Sequence, residues 1–372
     1  CLRDSRRTVI MILSSTVFSS SSSLAALQSQ ASMEKKLPIR LSGYDYDRVI
    51  GLVTGDIEME GCNYTFEVDK IGGLNTDALG GPMSREVTEI GMVPYLIAFA
   101  NDGLQNHTLI PVFPLRVFRH KSIFIRPDRG IRRPEDLRGK KIATPGYSST
   151  SLTWIRGLMQ EEYGVSPSDV IWVVAKKDSA RKDTGGPSRF ENILPKGLRI
   201  EEGPDGMDES ELLVSGEVDA LFHAAEPRAF VEGDPNCVRL FADSREAEQA
   251  YYRKTGIFPI MHAVAMRNDV VHANPWLVQA VFEAYSDSKQ QVYDFQRKHA
   301  WYKTTMPWIS QELEQTREIM GRNFYSYGLT DNNRTTLDAL LRYCHEQGLT
   351  KRRVTVEELF HPSTYELTEE RV

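Results

Sequence analysis

From Leu37 onward, strand-like and helix-like segments alternate along the chain, and this alternation constrains the fold more than any other feature. CNYTFEVDKI (62–71) alternates apolar and polar residues like a strand, and VIWVVA (170–175) is a β-branched run. GYSSTSLTWIRGLMQEEYG (146–164) carries apolar residues at helical spacing and ends at a glycine. Alternating strands and helices predict an α/β fold with a mostly parallel sheet.

The length of 372 residues fits two or three domains of ordinary size. The apolar fraction of 41% and the charged fraction of 26% are typical of a globular protein with its own core. The net charge of −6 argues against a nucleic-acid partner. No segment approaches 18 consecutive apolar residues, so we expect no membrane span.

The first 36 residues differ in composition from the rest of the chain. Arg3, Arg6 and Arg7 precede a short apolar run and a serine tract, which resembles a weak signal or transit peptide. The alternatives are a disordered leader, or an over-extended gene model in which Met33 is the real start of translation. We expect residues 1–36 to be a leader, and a cytoplasmic location unless that leader directs organellar import or export.

Three phrases resemble the type II periplasmic solute-binding architecture: PEDLRGKKIATPG (134–146), SGEVDALF (215–222) and MRNDVVHANPWLVQAVFEAY (266–285). The resemblance implies two lobes, each a mixed sheet flanked by helices, joined by two crossing segments near residues 122–125 and 258–266. It implies that residues 37–124 and 257–372 form lobe one, that residues 125–256 form lobe two, and that a ligand cleft lies between them.

Further blocks resemble the 4,5-dihydroxyphthalate decarboxylase family: PVFPLRVFRHKSIFI (111–125), WIRGLMQEEYGV (154–165), AYYRKTGIFPIMH (250–262) and LRYCHEQGLTKRRVTVEELFHP (341–362). The similarity runs from about Leu37 to about Glu366. It implies a non-oxidative decarboxylase of a hydroxylated aromatic carboxylate. The alternatives are a binding protein that delivers a small carboxylate or aromatic ligand to a transporter permease, and an enzyme of another reaction, since thiamine-precursor enzymes use the same scaffold.

No cofactor is expected from the residue pattern. The four cysteines are scattered and form no metal-binding spacing, and the chain has no local HxH or HxxxH motif. A divalent metal would suit the chemistry, but the sequence offers no support for one.

The segment VFPLRVFRHKSIFI (112–125) is rich in β-branched and aromatic residues, so it is predicted to be a strand. Alternation then puts Arg116 and His120 on one face, with Arg119 and Lys121 on the other. Near a cleft, Arg116 would hold a substrate carboxylate and His120 would donate a proton. Either arginine could instead pair with a protein carboxylate, and Lys121 is expected to be solvated.

Other candidates surround the predicted cleft. His262 lies beside a lobe crossing and is a second candidate acid, while His223 follows a strand and could contact the ligand. Asp47 could polarise a phenol or simply cap a helix. The remaining predicted binding residues are Arg119, Tyr46, Arg48, Tyr147, Ser148, Ser149, Thr150 and Trp154. The hydroxyls of residues 148–150 open a helix, where they could bind an anion or simply cap the helix. Trp154 could stack on an aromatic ring or pack in the core.

Overall fold

The computed structural model describes residues 36–184, 187–298 and 303–369. Within these ranges the strands are β1 Leu37–Gly43, β2 Cys62–Val68, β3 Val87–Gly91, β4 His107–Ile110, β5 Ile123–Ile125, β6 Lys141–Thr144, β7 Ile171–Val174, β8 Ile200–Glu202, β9 Ala220–Phe222, β10 Val238–Arg239 and β11 His262–Arg267. The helices are Ile50–Val53, Ile71–Ala78, Met92–Asp102, Thr150–Tyr163, Arg181–Thr184, Glu209–Ser215, Arg228–Val231, Ser244–Thr255, Asn268–Ala273, Leu277–Lys298, Ile309–Met320, Asp331–Glu346 and Val356–Leu359.

None of the helices in the described ranges is long and apolar enough to cross a bilayer. Residues 1–35 of the predicted leader lie outside the described residues, so the targeting and location expectations stay predictions.

The first sheet has the strand order β2-β1-β3-β11-β4. Strand β1 runs parallel to β3, whereas β11 runs antiparallel to both β3 and β4. All five residues of β3 are buried, and helix Leu277–Lys298 packs against helix Ile50–Val53 beside this sheet. The register pairs His262 with Gly91, so the start of β11 lies at the same edge as the carboxyl end of β3.

The second sheet has the strand order β10-β5-β9-β6-β7-β8. Strands β9, β6, β7 and β8 are mutually parallel, and β5 runs antiparallel to β9 and β10. Its core gathers Phe124, Ala143, Leu212 and Leu221 from three strands and one helix. Two separate mixed sheets with flanking helices therefore replace the single mostly parallel sheet that alternation alone predicts.

The segment 112–122 is not the strand predicted from its composition. Prolines at 111 and 114 remove backbone donors, and only an isolated antiparallel bridge between Arg116 and Ile260 forms before β5 begins at Ile123. The chain thus crosses from the first sheet to the second between β4 and β5, and it returns between β10 and β11. The lobe boundaries remain a prediction, and the boundary placed between residues 124 and 125 would cut through strand β5.

Two poorly patterned regions are structured. The glycine-rich stretch 72–81 overlaps helix Ile71–Ala78, in which Gly73 lies so close to the Asp69 carboxylate that a Cβ would be 3.0 Å from an oxygen. The charged region 176–210 contains helix Arg181–Thr184 and strand β8, and part of it lines the cavity described next.

Candidate active site

A cavity of about 340 Å³ lies where the ends of strands from both sheets meet. The first sheet contributes Tyr44 after β1, Gly91 at the end of β3, and His262 at the start of β11. The second sheet contributes Ala175 after β7 and His223 after β9. Ligands of α/β proteins bind beyond the carboxyl ends of parallel strands, and the volume suits a small molecule. We call this cavity the cleft.

One wall of the cleft carries a histidine held by a buried carboxylate. The Nδ1 atom of His262 lies 2.5 Å from Oε1 of Glu89, whose side chain is only 2% exposed. Glu89 also accepts hydrogen bonds from the Tyr44 backbone N–H at 3.0 Å and from the Tyr46 hydroxyl at 3.1 Å. With Nδ1 donating to Glu89, Nε2 is the nitrogen that His262 can offer to a ligand.

Tyr46 therefore supports this pair from outside the lining of the cleft. Burial, together with the charge of Glu89, raises the pKa of the Tyr46 phenol, so the phenol stays protonated and donates. Its ring stacks on Tyr44, which in turn stacks on the imidazole of His262 with centroids 6.4 Å apart. The predicted ligand contact of Tyr46 is replaced here by a contact with Glu89.

The facing wall carries a second histidine beside two carboxylates. Nε2 of His223 lies 3.1 Å from Oδ1 of Asp178 and 3.5 Å from Oε1 of Glu209. Burial by itself would lower the pKa of His223, but the hydrogen bond to Asp178 and the charge of Glu209 outweigh it and raise that pKa. Burial raises the pKa of Glu209. The three ligand atoms lie within 4.8 Å of one another, so the group has the composition of a metal-binding cluster.

Among the described residues, three helices of eight or more residues begin at the cleft: Ile71–Ala78, Met92–Asp102 and Thr150–Tyr163. The amino ends of helices carry partial positive charge, so their convergence favours an anionic ligand. Ser149 is the N-cap of the third helix, and its hydroxyl accepts from the Leu152 N–H at 3.3 Å.

Asn75 presents a buried donor at the same edge. Its Oδ1 accepts a hydrogen bond from the Gly91 N–H at 2.9 Å, so Nδ2 is the side-chain atom that remains to donate. Among the described residues Nδ2 has no hydrogen-bond partner, although Asn75 lines the cleft and is fully buried. Leaving such a donor unpaired costs about 1–3 kcal/mol, so an acceptor supplied by a ligand would stabilise the site.

Arg119 is the buried cation of the cleft. Its Nη1 donates to the Ala224 carbonyl at 2.7 Å, while its buried Nε has no partner among the described residues. Burial lowers the pKa of this guanidinium to about 10. The charge of Glu248 acts on Arg119, but within the described ranges no carboxylate forms an ion pair with its guanidinium, so an anionic ligand would supply the close counter-charge.

Five predicted site residues line the cleft: Arg119, Ser149, Thr150, His223 and His262. Arg116 does not, because the segment around it is irregular and strand alternation does not apply. Its guanidinium donates to the Phe258 carbonyl at 2.8 Å and to Oδ1 of Asn333 at 2.8 Å. These bonds connect the two crossing segments to each other and to helix Asp331–Glu346.

His120 also lies away from the cleft lining. Its ring packs edge-on against Phe241 and Tyr251, with centroids 5.1 and 5.4 Å away. Neither ring nitrogen has a partner among the described residues, and burial lowers the pKa of His120 to about 4. A neutral imidazole in an aromatic pocket does not have the geometry of the predicted proton donor.

The other predicted residues have structural contacts as well. Trp154 donates to the Ile260 carbonyl at 2.9 Å, and Ser148 donates to the Phe190 carbonyl at 2.7 Å. Tyr147 packs its ring under the Arg156 guanidinium.

Asp47 and Arg48 pair with each other near the outward crossing. Asp47 is exposed and accepts from Arg48, and it does not cap helix Ile50–Val53. Arg48 lies between the rings of Tyr46 and Tyr325. Neither residue lines the cleft.

The sequence analysis missed two residues that line the cleft, Asn75 and Asp178, and two buried carboxylates that contact its histidines, Glu89 and Glu209. A signal existed for Glu89, since an acidic residue inside a short buried strand (VTEIG, 87–91) requires a partner. Asp178 and Glu209 gave no such signal because they flank a poorly patterned region.

Comparisons with known proteins bear on the fold and on the family. The family described as NMT1/THI5 like matches residues 117–184. Among solved structures, a periplasmic sulfonate-binding protein from Methylobacillus flagellatus matches with a TM-score of 0.54 and 15% identity, over 88% of this chain and 93% of that chain. This likeness confirms the predicted two-lobed binding-protein scaffold and, at that identity, shows the fold alone.

Sequence relatives are much closer. A 4,5-dihydroxyphthalate decarboxylase from Comamonas testosteroni is 34% identical over 334 residues, which cover 89% of this chain and 98% of the relative. One from Pseudomonas putida is 32% identical over 59% of this chain and 82% of the relative. The resemblance predicted from the sequence is confirmed, and the chain belongs to the 4,5-dihydroxyphthalate decarboxylase family.

Proposed function

We propose that this chain is a non-oxidative decarboxylase that acts on 4,5-dihydroxyphthalate, or on a closely similar hydroxylated phthalate, bound in the cleft. One observation carries the proposal: each wall of the cleft presents a histidine in contact with a carboxylate, His262 with Glu89 and His223 with Asp178. The names of the two relatives supply the substrate class.

The substrate would be a dianion through its two adjacent carboxylates. Arg119 and the three helix amino ends supply positive potential, and Nδ2 of Asn75 supplies an unused donor. In this arrangement the retained carboxylate is anchored, while the leaving carboxylate needs only to be oriented out of the ring plane.

Loss of carbon dioxide leaves an electron pair on the ring carbon that bore the leaving group, and that carbon must gain a proton. The carbon–carbon bond breaks, carbon dioxide leaves, one proton is consumed, and no electron acceptor is needed. We assign the proton to Nε2 of His262, because Glu89 occupies Nδ1 and orients the ring. Glu89 is thus a positioning residue, and it stabilises the imidazolium before transfer.

The ring accepts a proton more readily when the hydroxyl para to the leaving carboxylate is polarised towards its anion. His262 lines the cleft from the first sheet, whereas His223 and Asp178 line it after strands of the second sheet. The cluster that these two residues form with Glu209 would contact the hydroxyl edge of a ring held between the two sheets. Acid and hydroxyl-polarising groups would then act from opposite sides of one ring, which is the arrangement that this reaction needs.

The test is release of carbon dioxide from a panel of acids that differ by one group each: 4,5-dihydroxyphthalate, 4-hydroxyphthalate and phthalate. Release should depend on the hydroxyl para to a carboxylate, and 4,5-dihydroxyphthalate should give 3,4-dihydroxybenzoate. Thermal shift in parallel separates binding from turnover. Strong stabilisation by these acids without any carbon dioxide would refute the decarboxylase and favour a binding protein.

A further inference from the structure

The cluster on the second wall contains a carboxylate that no lysine or arginine balances in the described part of the chain. Glu209 is completely buried, and its ion pair is with His223. A buried carboxylate whose ion-pair partner is an imidazole requires a cation or a proton beside it.

The three ligand atoms lie within 4.8 Å of one another, close enough to share one ion. The distances from Nε2 of His223 to the two carboxylate oxygens are 3.1 and 3.5 Å. Ligand atoms around a tetrahedral ion at about 2.0–2.2 Å lie roughly 3.3–3.6 Å apart. Small movements would therefore place all three atoms on one ion.

The outer contacts of the cluster are also those that metal ligands usually have. The Ser179 backbone N–H and hydroxyl both donate to Glu209. Nδ1 of His223 lies 3.0 Å from the Ala225 carbonyl oxygen, and a proton on Nδ1 would leave the Nε2 lone pair for an ion. The Ala225 N–H also approaches Nδ1 at 2.9 Å, which suits the opposite tautomer and an ion-free cluster.

We propose that Asp178, Glu209 and His223 bind a divalent first-row transition-metal ion whose open coordination positions face the cleft. Asp178 and His223 both line the cleft, so an entry path exists. One imidazole and two carboxylates suit Mn²⁺ or Zn²⁺. The part of the inference that concerns substrate rests on the proposed function: adjacent ring hydroxyls would occupy the open positions, and the ion would favour their ionisation.

This inference revises the expectation of no cofactor. The three ligands come from the β7–helix connection, the start of helix Glu209–Ser215 and the end of β9, so no local spacing in the sequence could reveal them.

The test is equilibrium dialysis of the chelator-stripped full chain against Mn²⁺, with electron paramagnetic resonance to follow the bound ion. The wild type should bind one Mn²⁺ per chain. His223→Ala and Asp178→Asn should each weaken binding at least 10- to 100-fold. Glu89→Gln is the matched control, because it alters the carboxylate of the other wall, and its affinity for Mn²⁺ should equal that of the wild type.

If His223→Ala impairs folding, which circular dichroism will show, Asp178→Asn supplies the test, because Asp178 is less buried than His223. Absence of saturable Mn²⁺ and Zn²⁺ binding at millimolar concentrations would overturn the inference and leave a protonated His223 as the balancing charge. Equal affinity in wild type and His223→Ala would overturn it too. Full decarboxylation by the metal-free chain would refute the role of the metal and leave the proposed function standing. One bound ion without any decarboxylation would refute the proposed function and leave the metal site standing.

Discussion

Replacement of Glu89 by glutamine tests how His262 is held. Three donors converge on this carboxylate: Nδ1–H of His262, the Tyr44 backbone N–H and the Tyr46 hydroxyl. A carboxylate accepts all three, but an amide has a single acceptor oxygen and turns an NH₂ group towards at least one of the donors. The imidazole then loses both its orientation and the charge that stabilises its protonated form.

The size of the effect follows from the bond that is lost. A buried hydrogen bond to a charged group contributes about 1.5–3 kcal/mol, and each 1.4 kcal/mol is about a factor of ten. The kcat of Glu89→Gln should therefore fall roughly 10- to 150-fold. KM should change little, because Glu89 contacts His262 and two tyrosines and is not itself a residue of the cleft lining.

The assay is initial-rate release of carbon dioxide from 4,5-dihydroxyphthalate, with thermal melting of each variant. Glu86→Gln is the matched control: the same chemical change three residues earlier, on a side chain that pairs with Arg40 outside the cleft. Its kcat should equal that of the wild type. A Glu89→Gln enzyme with wild-type kcat and a normal melting temperature would refute the positioning role.

Three further predictions concern other parts of the fold. Arg119→Gln should raise KM for the dicarboxylate about 10- to 100-fold in steady-state kinetics, because Arg119 lines the cleft. Arg116→Gln should instead lower the free energy of unfolding by about 2–4 kcal/mol, because Arg116 bonds Phe258 and Asn333. The opposite pattern would restore Arg116 as the residue that holds the substrate carboxylate. Gly157→Ala should destabilise by about 1–3 kcal/mol in urea unfolding, since its Cβ would lie 2.2 Å from the ring of Tyr343, and an unchanged midpoint would contradict this packing. Burial lowers the pKa of His120 to about 4, below the value of about 6.5 in the unfolded chain. The contribution of neutral His120 to the free energy of unfolding is therefore fully present above about pH 6.5. It decreases by up to about 3 kcal/mol as the pH falls towards 4. The loss of stability between pH 7 and 4 should be smaller in His120→Leu, and equal losses would contradict the assignment.

Much of the architecture was accessible from the sequence because it depends on periodicity and on long recognisable blocks. The strands β2 and β7 and helix Thr150–Tyr163 follow directly from alternation and helical spacing. The two-lobed scaffold followed from the resemblance. The segment 112–122 was mistaken for a strand because β-propensity reports side-chain type, while the prolines and the buried guanidinium of Arg116 decide the backbone path.

The site was only partly predictable for a related reason. His262 and His223 were found because histidines next to apolar strands are conspicuous in a sequence. Their carboxylate partners were not found, because the contacts are tertiary. Glu89 contacts His262 across 173 residues of sequence, and Glu209 reaches His223 from a separate helix. Pairings of that kind depend on which strands become neighbours, and no local pattern encodes them.

In the proposed function, His262 donates the proton in a cleft where 4,5-dihydroxyphthalate loses one carboxylate. The decisive measurement is single-turnover release of carbon dioxide by the wild type and by His262→Gln, with substrate binding measured separately by calorimetry. We expect one carbon dioxide and one 3,4-dihydroxybenzoate per active site in the wild type. In His262→Gln we expect a rate about 10²- to 10⁴-fold lower with substrate affinity largely retained. Binding by the wild type without carbon dioxide release, or an undiminished rate in His262→Gln, would contradict the account.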